Sequence, residues 1–108
     1  MENKVLVVVD MQNDFIDGAL ANPLAQKIVD KVAKYISKFE GLIVFTRDTH
    51  QKDYLETREG KHLPVPHCIA MTNGWQINSK IFKAAEDNKK ARVIVVNKST
   101  FSAGTSLY

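Results

Sequence analysis

The amino-acid sequence predicts an α/β fold built on a parallel sheet. Three short apolar runs rich in β-branched residues occupy residues 4–10, 42–46 and 93–97. Runs of that kind read as strands covered on both faces. Amphipathic helical stretches fall between them. The order strand, helix, strand, long loop, helix, strand predicts parallel pairing through right-handed crossovers.

The first strand is Lys4-Val-Leu-Val-Val-Val-Asp10. Asn22-Pro23 then gives a helix start, with Asn as N-cap and Pro at the first helical position. Leu24, Ile28, Val32 and Ile36 follow at a spacing of four, with Tyr35 and Phe39 on adjacent rows, and Gly41 stops the helix. Leu42-Ile-Val-Phe-Thr46 is the second strand. Ile77, Ile81 and Ala85, flanked by Phe82 and Ala84, mark a helix running to about Asn88, and Val93-Ile-Val-Val-Asn97 is the third strand. Residues 47–75 lack periodicity, and a loop of that length in a compact domain is usually functional or disordered. This one carries Asp48, His50, Asp53, Glu56, Glu59, His62, His67 and Cys68, so it reads as a site.

With 108 residues, 44% hydrophobic and 25% charged, the chain has the composition of one globular domain and not of a disordered one. Its longest apolar stretch, Val5 to Val9, is far below the roughly 20 residues of a membrane helix. The N-terminus opens directly into a strand, so no secretory signal is expected. One cysteine, Cys68, excludes an internal disulfide and a thiolate zinc ribbon, and predicts a cytoplasmic setting. The net charge of +3 comes largely from lysines spread along helices, Lys27, Lys31, Lys34 and Lys38 among them. They read as a solvated helix face, so no nucleic-acid or membrane partner is expected. The turn after the first strand, Asp10-Met-Gln-Asn-Asp14, has no GxGxxG, and two carboxylates there would repel a phosphate. A nucleotide-binding unit is thereby excluded.

Each strand delivers an ionisable residue at its C-terminal end: Asp10, Asp48 two residues past the second strand, and Lys98. In a parallel α/β sheet these ends share one edge, and ligands bind outside it. A charge at the end of an apolar strand costs desolvation unless it is paired or used. Asp48 and His50, two apart on an extended segment, point to the same side, as metal ligands must. Together with His67 and a carboxylate they would suit Zn²⁺, with Mn²⁺ and Fe²⁺ as alternatives.

Four ordered motifs resemble the isochorismatase-like cysteine hydrolases, which include the nicotinamidases. They are Val8-Val-Asp10-Met-Gln-Asn-Asp14-Phe15, Thr46-Arg-Asp48-Thr-His50, Pro66-His67-Cys68 and Asn97-Lys98-Ser-Thr-Phe101-Ser102-Ala103. The resemblance implies a Rossmann-like, three-layer α/β/α domain with an aspartate–lysine–cysteine triad and, in nicotinamidases, a metal beside it. It implies Asp10 as the general base, Lys98 as the cation that stabilises the thiolate, Phe15 as the aromatic wall of the substrate pocket, and Asp48, His50 and His67 as metal ligands. No organic cofactor is implied. Many nicotinamidases place a further histidine a few residues past the first, where this chain reads Gln51-Lys-Asp-Tyr-Leu55. Glu59 is the nearest equivalent ligand, with Glu56 as its competitor.

By the same resemblance, the nucleophilic cysteine belongs on a turn after a further strand, beyond Tyr108. Residues 1–108 are then one incomplete domain, roughly 60% of an expected domain of about 180 residues. Cys68 is a poor substitute, because it faces away when its neighbour His67 faces the metal. The expected activity is hydrolysis of a small, nicotinamide-like amide by the full-length protein, with these 108 residues alone inactive. The alternative is a truncated, non-catalytic module that self-associates. A homo-oligomer is expected in either case, because three strands leave sheet and helix faces uncovered.

Overall fold

The computed structural model describes residues 4–99. Its three strands, β1 (Val5–Val9), β2 (Gly41–Thr49) and β3 (Ala91–Ser99), form one parallel sheet in the order β1-β2-β3. The helices are α1 (Asn13–Ile16), α2 (Pro23–Lys38), α3 (Arg58–His62) and α4 (Ser79–Glu86), with single 3₁₀ turns at Tyr54–Glu56 and Asn73–Trp75. The fold is the α/β parallel sheet with flanking helices that the pattern predicts. Residues 100–103 of the last quoted motif lie outside the described residues.

Helix α2 starts as its sequence dictates: Asn22 Oδ1 accepts the Leu24 N–H at 2.9 Å, and Pro23 occupies the first turn. Its C-terminal carbonyls are held by a side chain from the far end of α4. Asn88 Nδ2 donates to Ile36 O at 2.8 Å and Phe39 O at 2.6 Å. Gly41 then enters β2 at φ +143°, where a Cβ would strike the Lys4 carbonyl, so only glycine fits.

The crossovers β1–α2–β2 and β2–α4–β3 advance in the same direction across the sheet. Being of one hand, they place both helices on the same face. The core therefore lies there, with Val8, Ile43 and Phe45 packed against Ala33, Ile36, Ile77, Ile81 and Ala85. Among the described residues the other face is open, as expected for three strands with their crossovers. Val5, Val7 and Val9 on β1, with Ile94 and Val96 on β3, are 40–59% exposed, and the described residues supply helices to one face only. The stripe on α2 is also rotated from its predicted phase. Val29, Val32, Ala33 and Ile36 meet the core, while Leu24 (71%), Ile28 (43%) and Tyr35 (61%) are exposed. The cause is that β1 is an edge strand, so the outer side of α2 overhangs it and meets no neighbour among the described residues.

Strands β2 and β3 run further than their apolar cores predict. The extensions carry Asp48 and Lys98 inside the sheet, in register with one another. Among the described residues, no helix is long and apolar enough to cross a membrane. Lys27, Lys31, Lys34 and Lys38 are all exposed.

Candidate active site and metal centre

Parallel neighbours in register share a face, so Thr46, Asp48 and Lys98 stand together on the open face at its C-terminal end. Asp10 arrives there from β1. It leaves the strand in the left-handed region, φ +52°, while its N–H still reaches the Thr46 carbonyl at 3.1 Å. Its side chain is met on both oxygens: Thr46 Oγ1 donates to Oδ1 at 2.9 Å, and Lys98 Nζ donates to Oδ2 at 3.1 Å. Both members of the ion pair keep about a quarter of their side-chain surface in solvent, 25% for Asp10 and 26% for Lys98. The structure thus brings together two residues 88 positions apart.

Beside them lies the histidine cluster. Asp48, His50 and His67 each present a donor atom within 4.8 Å of the others. His50 Nε2 is 3.1 Å from Asp48 Oδ2, and His67 Nε2 is 3.8 Å from the same oxygen. Glu59, on α3, brings Oε2 to 3.7 Å from His50 Nε2, whereas Glu56 is exposed. Of the two glutamates, Glu59 is the one that lies beside the cluster. The Tyr54 ring packs edge-on against both imidazoles, at 4.6 Å from His50 and 5.1 Å from His67, and its hydroxyl donates to Leu63 O at 2.7 Å. Phe15 meets His67 at 5.6 Å, on the rim of the cluster.

Two observations show that this donor set suits a divalent ion. Nδ1 of His67 lies 2.6 Å from the Val65 carbonyl, which can only accept, so Nδ1 carries a proton and Nε2 is the nitrogen turned to the cluster. Buried Glu59 Oε1 has no hydrogen-bond partner. Two imidazoles and two carboxylates form a donor set typical of Zn²⁺, Mn²⁺ or Fe²⁺.

Cys68 follows His67 directly but is fully buried, with φ +50°. Burial first, then the negative charges of Asp48, Asp14 and Asp10, push its thiol up to about 12. A nucleophile needs the thiolate, and this environment disfavours it.

Sequence reasoning gave no role to several residues that build the site. Gln12, Asp14 and Thr46 stood inside the quoted motifs, but nothing in their spacing shows what they touch. Tyr54 lay in the long loop without periodicity. Trp75 anchors the opposite side of β2, donating from Nε1 to Thr49 Oγ1 at 2.9 Å and carrying the Arg47 guanidinium 3.6 Å above its ring.

The strand-end ion pair and the adjoining histidine–carboxylate cluster thus stand side by side at the C-terminal edge of a parallel α/β sheet, where ligands of such folds bind. The isochorismatase domain family matches residues 4–107, and the chain belongs to that family. Among solved structures it is similar to a pyrazinamidase of Pyrococcus horikoshii in complex with zinc, at 36% identity and TM-score 0.65, covering 90% of this chain and 54% of that one. It is similar to a pyrazinamidase/nicotinamidase of Streptococcus mutans at 28% identity and TM-score 0.73, covering 94% and 60%. It also resembles an N-carbamoylsarcosine amidase of Thermoplasma acidophilum, at 26% identity and TM-score 0.60, covering 87% and 51%. The chain therefore spans just over half to three-fifths of the length of these structures. No curated protein sequence matches it.

Proposed function

We propose that the protein to which these residues belong is a cysteine amidase acting on a small aromatic amide, with nicotinamide or pyrazinamide as the leading substrate. The observation that carries this reading is the Lys98–Asp10 pair, 3.1 Å apart at the C-terminal edge and open to solvent beside the histidine cluster. The zinc complex and the amidase activities named for the similar structures support it.

In this reading the remainder of the isochorismatase domain sets a cysteine thiol against Asp10. The Asp10 carboxylate takes the S–H proton, and Lys98 steadies the negative charge as sulfur attacks the amide carbonyl. The C–N bond then breaks, and the nitrogen leaves as ammonia with the proton Asp10 had taken. Water cleaves the thioester, releasing the acid and restoring the thiol. Phe15 offers a face for a ring. Asp48, His50, His67 and Glu59 would hold a divalent ion, zinc first, which supplies Lewis acidity beside the substrate. Ammonia release from nicotinamide and pyrazinamide by the longest native form of the protein tests the proposal. No release from either amide would overturn it.

A second reading is favoured by the open sheet face. Val5, Val7 and Val9, each more than half exposed, suit a self-associating module that covers this face with a second copy. Sedimentation of the 108-residue chain decides it: a dimer that Val7→Asp dissociates is expected, and a stable monomer rejects it.

A further inference from the structure

The turn after β1 does more than deliver Asp10. Strand β1 stops pairing with β2 at Val9, opposite Thr46, so the next stretch of β2 has no strand on that side. Gln12, fully buried, fills the gap with its side-chain amide. Oε1 accepts the Asp48 N–H at 2.8 Å, and Nε2 donates to the Asp48 carbonyl at 2.9 Å. The carboxamide thereby acts as one more peptide unit of the ladder, gripping both backbone groups of a single residue. The second N–H of Nε2 goes to Trp75 O at 2.8 Å, so both amide hydrogens are used and the side chain cannot rotate freely.

Asp14 makes the matching contact on the other ligand segment. Its Oδ2 accepts the Cys68 N–H at 2.7 Å, which fixes the peptide unit joining His67 to Cys68. Its Oδ1 accepts Ala19 N–H at 3.1 Å, and the carboxylate packs so tightly on Gly74 that a Cβ there would overlap it. The left-handed backbone at Cys68 is thus bonded on both sides, its N–H by Asp14 and its carbonyl by the His50 N–H at 2.9 Å.

We propose that Gln12 and Asp14 are positioning residues for the metal-ligand cluster, Gln12 through Asp48 and Asp14 through His67. This rests on the reading that the cluster holds a divalent ion. Partners behind a ligand set its orientation, and their loss typically costs about 10–100-fold in metal affinity.

The test uses the longest native form of the protein with Zn²⁺ alone, its affinity read by competition with a chromophoric chelator, and Co²⁺ alone, its visible absorption reporting ligand geometry. Gln12→Met keeps the length and removes every hydrogen bond; Asp14→Ala removes the second grip; Ile43→Val, in the helix-covered core, controls for general loss of stability. Zn²⁺ affinity should fall about 10–100-fold in Gln12→Met and about tenfold in Asp14→Ala. Both should shift the Co²⁺ bands, while Ile43→Val lowers the melting temperature and leaves both readouts alone. If Gln12→Met does not fold, Asp14→Ala, whose side chain is only half-buried, decides. Wild-type affinity and spectrum in the folded variants, or an equal loss in Ile43→Val, overturns the positioning role. Should wild type bind neither ion, or His50→Ala bind as wild type does, the metal reading falls and the positioning role with it.

Discussion

His50 and His67 are 7% and 3% exposed and are packed by Tyr54, Phe15 and one another, whereas Asp10 and Lys98 stand a quarter open to water. The cluster is braced from behind by the Val65 carbonyl, Gln12 and Asp14. The ion pair has one lateral support, the Thr46 hydroxyl. A set of ligands works only if its geometry is fixed before the ion arrives. A proton-transfer pair must instead stay accessible to what it acts on. Under the proposed function, this difference in burial would separate two tasks within one strand edge: holding, and reacting.

His50→Ala should break the holding half most completely. Its imidazole faces both Asp48 and Glu59, so the variant should lose stoichiometric zinc by elemental analysis, while equal metal in both proteins would remove His50 from the site. Asp10→Asn and Lys98→Ala should break the reacting half, lowering ammonia release by the longest native form about 10²–10⁴-fold. Because a quarter of each side chain is open to water, neither should cost more than about 1 kcal/mol of stability in chemical denaturation. Retained turnover would deny the assigned roles; a collapse of the fold would show that the pair is structural.

Tyr54→Phe sharpens the contrast at smaller scale. It removes the hydroxyl bond to Leu63 O, which keeps the Val65 N–H at 2.8 Å, so the loss should be about 1 kcal/mol. The ring stays against both imidazoles, so zinc affinity should hold within a few-fold. The smallest effect belongs to Cys68→Ala, which should leave turnover unchanged. It should also flatten part of the alkaline stability profile. The folded chain holds the thiol proton to about 12, while the unfolded chain releases it near the ordinary value of 9.0. Stability is therefore full below pH 9 and declines between 9 and 12, as the unfolded state loses protons first. An identical decline in Cys68→Ala would assign that slope to another group.

Much of this architecture is readable from local pattern. Strand order and parallel pairing follow from apolar runs alternating with helical stripes, and Asp48 and His50 fall on one side because the strand period is two. The phase of α2 was not readable. Leu24 and Ile28 satisfy the spacing rule, but what they face depends on where the sheet ends. Glu59 could not be separated from Glu56 by spacing, because α3 turns only Glu59 inward. The roles of Gln12 and Asp14 were hidden for a stronger reason: their partners lie 36, 63 and 54 residues away. A glutamine gripping another residue's backbone leaves no periodic trace in sequence.

The Lys98–Asp10 contact spans 88 positions. During synthesis at about 5–20 residues per second, Asp10 is made roughly 4–18 seconds before its partner. Throughout that interval the acid has no cation across from it, and β2 has no β3 alongside. The Asp10–Lys98 pair therefore forms late in synthesis, only once β3 has docked beside β2.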